Sequence, residues 1–179
     1  MRNTVKYLIF LIIYLACGGN LQAQNYTFRN VVMSDGLSGL LVNTIYKDSE
    51  GFVWLGTDNC LDRFDGVKVR HFEFRGIESG RKKRVNSVTE TASKQLWVGN
   101  GIGLWRLNRT NSQLERIVPE KIDFAVNTLL ANEDVLYIGT EKGLFIHKDG
   151  QLLQVLTDRN MLAACNRIMD ICLNEDKTV

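Results

Sequence analysis

Two histidines, His71 and His147, are the residues best suited to acid–base or metal chemistry in this 179-residue chain. Each falls late in a strand-like segment with no second His, Cys or carboxylate at ligand spacing along the sequence, so both read as surface strand residues. Asp62 with Asp65 and Glu175 with Asp176 could pair as general acid and base, but such pairs are ordinary turn chemistry. Asn100-Gly101-Ile102-Gly103 is rich enough in glycine to cradle a phosphate, yet it stands between two strand-like runs with no helix after it. No Gly-x-Ser-x-Gly, P-loop or His-Glu-x-x-His pattern occurs. The four cysteines, Cys17, Cys60, Cys165 and Cys172, show no Cys-x-x-Cys spacing and so no zinc ribbon. The residues therefore predict no catalytic group, no metal and no cofactor; whether Cys165 pairs with Cys172 stays open.

Charge narrows the partners. The formal net charge is +2, from 22 basic and 20 acidic residues, and Arg2 and Lys6 at the start account for the excess. Nucleic-acid binding needs a basic face that releases counterions, and the one basic run, Arg81-Lys82-Lys83-Arg84, reads as a solvated loop. Arg2 and Lys6, the apolar run Tyr7 to Ala16 and the small residue Ala23 have the order of an export signal, expected over 1–23. The run is too short for a bilayer core that needs about 20 apolar residues. Cys17 leaves a lipoprotein reading open.

The elements that would position any site come from a repeat. Val42-Asn43-Thr44-Ile45 recurs as Val85-Asn86-Ser87-Val88 and Val126-Asn127-Thr128-Leu129, and more weakly as Ile168-Met169-Asp170-Ile171, at spacings of 43, 41 and 42. A second block follows in each: Val53-Trp54-Leu55-Gly56, Leu96-Trp97-Val98-Gly99 and Leu136-Tyr137-Ile138-Gly139. Five residues beyond each glycine stands Leu61, Leu104 or Leu144.

In the first unit the pattern predicts strands over Val42 to Lys47, Phe52 to Gly56, Leu61 to Phe64 and Val67 to Phe72, with hairpin turns at Asp65-Gly66 and Asp149-Gly150. Tandem four-stranded antiparallel units of this length predict an all-β fold, a β-propeller. Its expected divisions are a lead-in over 24–41, blade repeats over 42–84, 85–125 and 126–167, and the start of a fourth over 168–179. Trp54, Trp97 and Tyr137 are expected to fill the gaps between sheets, with Gly56, Gly99 and Gly139 allowing the next backbone close.

Asp35-Gly36-Leu37-Ser38, the run Val42 to Thr57 and the ending Leu61-Asp62-Arg63-Phe64-Asp65-Gly66 resemble the regulator-propeller repeat family, found in the periplasmic sensor half of hybrid two-component histidine kinases. Cys60 departs from the glycine of that pattern, a residue that repeats two and three retain as Gly103 and Gly143. If that position requires positive φ, Cys60 costs on the order of 1 kcal/mol.

The 156 residues from Gln24 onward hold fewer than four units of about 42, whereas propellers close with about four to eight blades. We expect the chain to be the amino-terminal fragment of a longer protein. The resemblance implies an exported, periplasmic sensor anchored in the inner membrane, a homodimer when complete, with further blades and a kinase in its own full-length chain. It implies an oligosaccharide ligand controlling polysaccharide-utilisation genes, and no enzyme activity in this chain itself. Ligand-contacting candidates are residues that differ between repeats: Trp105, which replaces Asp62 and Phe145 of the other repeats, then Arg75, Arg81 and Arg106. A secreted propeller lyase or glycoside hydrolase and an extracellular scaffold propeller are the rival readings.

Overall fold

The computed structural model describes residues 6–7, 30–77, 83–117, 122–155 and 167–174. Met1–Asn30 form one unit and Val31–Val179 a second, which holds every described strand. The export signal, Cys17, Arg81 and Cys165 lie outside the described residues.

Twelve strands make three sheets of four, each an antiparallel meander in chain order. Blade 1 is β1 (Val42–Lys47), β2 (Val53–Thr57), β3 (Leu61–Phe64) and β4 (Val69–Phe72). Blade 2 is β5 (Val85–Glu90), β6 (Leu96–Asn100), β7 (Gly103–Asn108) and β8 (Gln113–Ile117). Blade 3 is β9 (Val126–Asn132), β10 (Val135–Thr140), β11 (Gly143–Lys148) and β12 (Gln151–Gln154). This is the all-β propeller architecture that the repeat predicts.

β4 starts two residues later than the alternation suggests, because Asp65 claims Val67 and Lys68 for a turn. Its Oδ1 accepts hydrogen bonds from both backbone amides, at 2.9 and 2.8 Å. The hairpin between β11 and β12 has a two-residue loop in which Asp149 and Gly150 both take positive φ, the conformation a tight right-twisted hairpin needs.

Blade 2 is packed on both faces, so its strands lack a polar face. Trp54, Leu61 and Phe72 point forward from blade 1 and meet Val88, Leu96, Val98 and Trp105, which point backward from blade 2. Trp97 and Leu104 point forward from blade 2 and meet Leu129, Leu136, Ile138 and Phe145 of blade 3. Tyr137 and Leu144 occupy the corresponding forward positions of blade 3 and are half-buried. His147, expected at the surface, stacks on Trp97 at 4.9 Å between ring centroids. Burial holds its imidazole below the usual pKa, with the Arg106 charge adding to the effect.

The repeated Val-Asn-Thr-Ile is the device that joins blades. In all three sheets the register slips at the Asn, between Val42 and Thr44, between Val85 and Ser87, and where Val126 and Thr128 face Thr140 and Gly139. Asn43, Asn86 and Asn127 are therefore bulged residues, turned out of the ladder. The Asn86 amide donates to Val126 O and that of Asn127 to Ile168 O, both at 2.8 Å. In the other direction, the apolar residue opening each unit sits on the glycine of the unit before. A Cβ built at Gly56 would lie 2.5 Å from Val85 Cγ1, and one at Gly139 would lie 2.7 Å from Ile168 Cγ2. Ile168 thus makes toward blade 3 the contacts that Val85 and Val126 make toward blades 1 and 2.

Asp48 fixes the first turn. It is 4% exposed; its Oδ1 accepts from the amides of Glu50 and Phe52, and its Oδ2 from Trp54 Nε1 at 2.8 Å. Blade 2 has Thr91 at this place, and there the Trp97 Nε1 has no partner among the described residues. Asp48→Ala strands the buried indole N–H along with the turn amides, and we expect it to lower the unfolding free energy by about 2 kcal/mol. Urea titration of the variant against wild type reads this directly.

Candidate functional site

The first strands of neighbouring blades lie side by side, β1 against β5 and β5 against β9, so the bulges converge. There they line a concavity of about 460 Å3 with Asn43, Asn86 and Asn127 from the three strands, Arg84 before β5, Glu141 after β10, and Arg167 and Met169. Its wall is polar amide plus two cations and one anion. Asn43 differs from its counterparts: its Nδ2 is buried and unpartnered among the described residues, where those of Asn86 and Asn127 reach the next blade. A polar uncharged or weakly anionic ligand fits such a wall, held by amide and guanidinium hydrogen bonds. Repeat logic flagged these asparagines only as structural; what sequence reading lacked was the register slip that turns them toward the axis.

Of the four residues chosen from differences between repeats, Arg81 lies outside the described residues, and Trp105, Arg75 and Arg106 do not assemble into one site. Trp105 is corrected outright: it is 1% exposed, 5.0 Å from the Phe74 ring, with Nε1 donating to Asn100 Oδ1 at 3.1 Å. Its face is spent on the blade 1–blade 2 core and none is left for a sugar. Arg75 is exposed in the turn after β4, away from the concavity. Arg106 pairs with Glu115 at 3.2 Å on β8. Hydrogen bonds from Asn108 and then from Arg106 hold that carboxyl below its ordinary range. Arg106 lines a separate groove of about 340 Å3 with Lys94, Gln95 and Arg109. The basic run read as a solvated loop contributes Arg84 to the central concavity.

His71 also needs correction. Pairing of β3 with β4 sets it directly opposite Asp62, and Nδ1 lies 2.7 Å from Asp62 Oδ1, with Cys60 Sγ 3.2 Å from the same oxygen. Partners nine residues away along a hairpin escape any search by linear ligand spacing. Cys60 carries no backbone penalty either, since positive φ belongs to Gly103 and Gly143 and not to Cys60.

Asp35-Gly36-Leu37-Ser38 seals this backward face of blade 1. Gly36 takes φ +99° to end a 3-10 turn over Met33–Asp35, and Ser38 then donates from N and Oγ to Asp62 Oδ2 at 2.8 and 2.7 Å. The family model described as two component regulator propeller matches residues 36–59, from this Gly36 through β2. Over residues 36–59 this chain matches the two-component regulator propeller repeat.

Similarity to known proteins reaches beyond this segment. Over 66 residues the chain is 36% identical to histidine kinase P4 of Formosa agariphila, a match covering 37% of this chain and 5% of that protein. Two solved structures of an extracellular domain from B. thetaiotaomicron are similar in fold. One is described as a one component and the other as a hybrid two component system, with TM-scores of 0.65 and 0.66 at 21% and 20% identity, over 79% of this chain and 20% of theirs. Virginiamycin B lyase from Staphylococcus aureus gives 0.58 at 13% identity, over 74% of this chain and 45% of the lyase. At these identities the structural likenesses speak for the fold alone. The chain spans about a fifth of the solved extracellular domains and a twentieth of the kinase. Among the described residues no helix is long and apolar enough to cross a membrane.

Proposed function

We propose that this regulator propeller is the sensing part of an exported hybrid two-component histidine kinase, and that its ligand is an oligosaccharide bound at the central concavity. The observation that carries the reading is the regulator-propeller match at residues 36–59 on a fold whose three bulged asparagines, with Arg84 and Arg167, face one polar concavity. Sugars are bound by amide and guanidinium hydrogen bonds of this kind. The chain itself contributes no catalytic group to this scheme; phosphotransfer belongs to a kinase elsewhere in the full-length protein, anchored in the inner membrane and working as a homodimer.

One face, open among the described residues, supports a ring of more blades. On the backward face of blade 1, Ile45 is 69% exposed, while its counterparts Val88 and Leu129 are 5% and 7% exposed against a preceding blade. Further blades of the same protein would bury Ile45 and draw more side chains around the concavity. Ligand binding signals only if it favours one arrangement of the paired sensors over the other.

Calorimetric titration of the complete extracellular region with oligosaccharides from plant and algal polysaccharides tests this. We expect one class of glycan to bind, and Arg84→Ala to weaken it by about 10-fold or more, the loss of one charge-assisted hydrogen bond. Glycan binding that is indifferent to Arg84→Ala and Arg167→Ala together would remove the concavity as the site.

A further inference from the structure

We propose that Cys60, Asp62 and His71 form a binding site for a divalent cation of the zinc type on the backward face of blade 1. Sγ, Oδ1 and Nδ1 of these residues lie within 4.8 Å of one another. Three donors of types that zinc accepts, sulfur, oxygen and imidazole nitrogen, with a fourth position left to water, make a tetrahedral site.

The blades supply the comparison that makes this more than proximity. At the place of Cys60, blades 2 and 3 have Gly103 and Gly143; at that of Asp62 they have the core aromatics Trp105 and Phe145. At that of His71 they have Arg116 and Gln154. Blade 1 thus departs at three neighbouring positions at once, and every departure introduces a metal-ligating atom, in place of a glycine, a buried aromatic and an Arg or Gln.

The carboxylate is also pre-oriented. Ser38 occupies Asp62 Oδ2 with two hydrogen bonds, which leaves Oδ1 turned toward Cys60 and His71. Supporting hydrogen bonds of this sort hold a ligand in place for a metal. Asp62 is 0% exposed, and its buried carboxylate is met without a metal by Ser38 N and Oγ, Cys60 Sγ and His71 Nδ1; an ion would take the place of the last two hydrogen bonds while the Ser38 pair stays. The charges nearest in sequence, Arg63 and Arg70, stand opposite each other in the β3–β4 register, on the other face of the sheet from Asp62 and His71.

Tetrahedral zinc, with bonds of about 2.3 Å to sulfur and about 2.0–2.1 Å to nitrogen and oxygen, sets its ligand atoms roughly 3.3–3.5 Å apart. The observed separations of 3.2 Å and 2.7 Å from Oδ1 must open to those values by roughly 0.3 Å at Sγ and roughly 0.6 Å at Nδ1, and the half-exposed His71 ring makes the larger movement. On binding, the Cys60 S–H bond breaks as the S–metal bond forms and its proton leaves to solvent. Without a metal, His71 Nδ1 donates its proton to Asp62 Oδ1; on binding that proton leaves Nδ1 to solvent as the Nδ1–metal bond forms, and the neutral ring keeps its proton on Nε2. The ion would staple the lead-in at Ser38 and strands β3 and β4 together.

Cobalt(II) titration of the 179-residue chain, followed by zinc displacement, tests the site. We expect one cobalt per chain with a thiolate-to-cobalt charge-transfer band in the near ultraviolet, bleached by one equivalent of zinc. Cys60→Gly gives this blade the residue of its neighbours, and His71→Gln alters a half-exposed side chain. Each should abolish the band or weaken zinc binding at least about 100-fold, and Ser38→Ala should weaken it about 10-fold. Circular dichroism confirms that the variants keep their strands. Cys17, Cys165 and Cys172 persist in every variant, so a cobalt band that survives Cys60→Gly, or zinc affinity unchanged in both variants, overturns the proposal.

Discussion

Trp105→Ala is expected to lower the free energy of unfolding by about 3–5 kcal/mol, the usual cost of emptying a large aromatic site in a core. The indole touches both sides of the first blade interface. It meets Phe74 edge-on at 5.0 Å, lies in one cluster with Trp54, Leu61 and Phe72 of blade 1, and ties its Nε1 to Asn100 Oδ1. Asn100 is itself 0% exposed, and its Oδ1 also accepts from the Ile102 amide, so the indole locks the β6–β7 hairpin from inside. Alanine would leave a cavity between blades and lose the only hydrogen bond of the ring. A sugar-stacking tryptophan behaves oppositely: its removal abolishes binding and leaves stability within about 0.5 kcal/mol, as for other surface changes. Urea unfolding separates the two, and a loss under 1 kcal/mol would return Trp105 to the list of ligand contacts.

Why Trp105 misled the sequence reading is instructive about propellers. In an ordinary antiparallel sheet one face is wet, and a residue that varies between repeats on that face marks a function. Here both faces of blade 2 are dry, as are the faces that blades 1 and 3 turn toward it. The forward face is nearly constant, Trp-x-Gly with Leu five residues on, because each blade offers the same surface to the next. The backward face must complement it while also meeting different connecting segments, such as Phe74 after β4 or Phe124 before β9. Variation at Trp105 and Phe145 is therefore reciprocal packing.

Period and turn chemistry made the architecture readable, since Asp-Gly hairpins and apolar runs of four to six residues have one economical arrangement. The concavity was not readable, because it depends on a one-residue register slip at Asn43, Asn86 and Asn127 that hydrophobic alternation does not encode. Nor was the approach of His71 to Asp62, which arises from hairpin pairing and from burial of a carboxylate under Ser38.

The second large effect is expected at the glycines. A Cβ at Gly99 would lie 2.5 Å from Val126 Cγ1 and 3.4 Å from Leu129 Cγ, well inside contact distance. Gly99 is not in the left-handed region, so the cost of Gly99→Ala is steric and not a matter of φ. Val126 is 0% exposed and belongs to the second core cluster, and its carbonyl is held by the Asn86 amide, so it has little room to retreat. We expect Gly99→Ala to cost about 3 kcal/mol, the upper end of overpacking, by pushing blade 3 off blade 2.

A double-mutant cycle identifies the cause. Val126→Ala removes the methyl that the new Cβ would strike, so Gly99→Ala together with Val126→Ala should be less destabilised than the sum of the two by about 1–3 kcal/mol. Additive losses would mean that the glycine is required for another reason, such as strand conformation, and that the opening Val of each unit is not seated by the glycine of the one before. Gly139→Ala carries the same logic one blade further, because its Cβ would meet Ile168 Cγ2 at 2.7 Å and Ile168 Cβ at 3.1 Å. If Ile168 opens a fourth unit, Gly139→Ala will be costly and Ile168→Ala will relieve it, as Val126→Ala relieves Gly99→Ala.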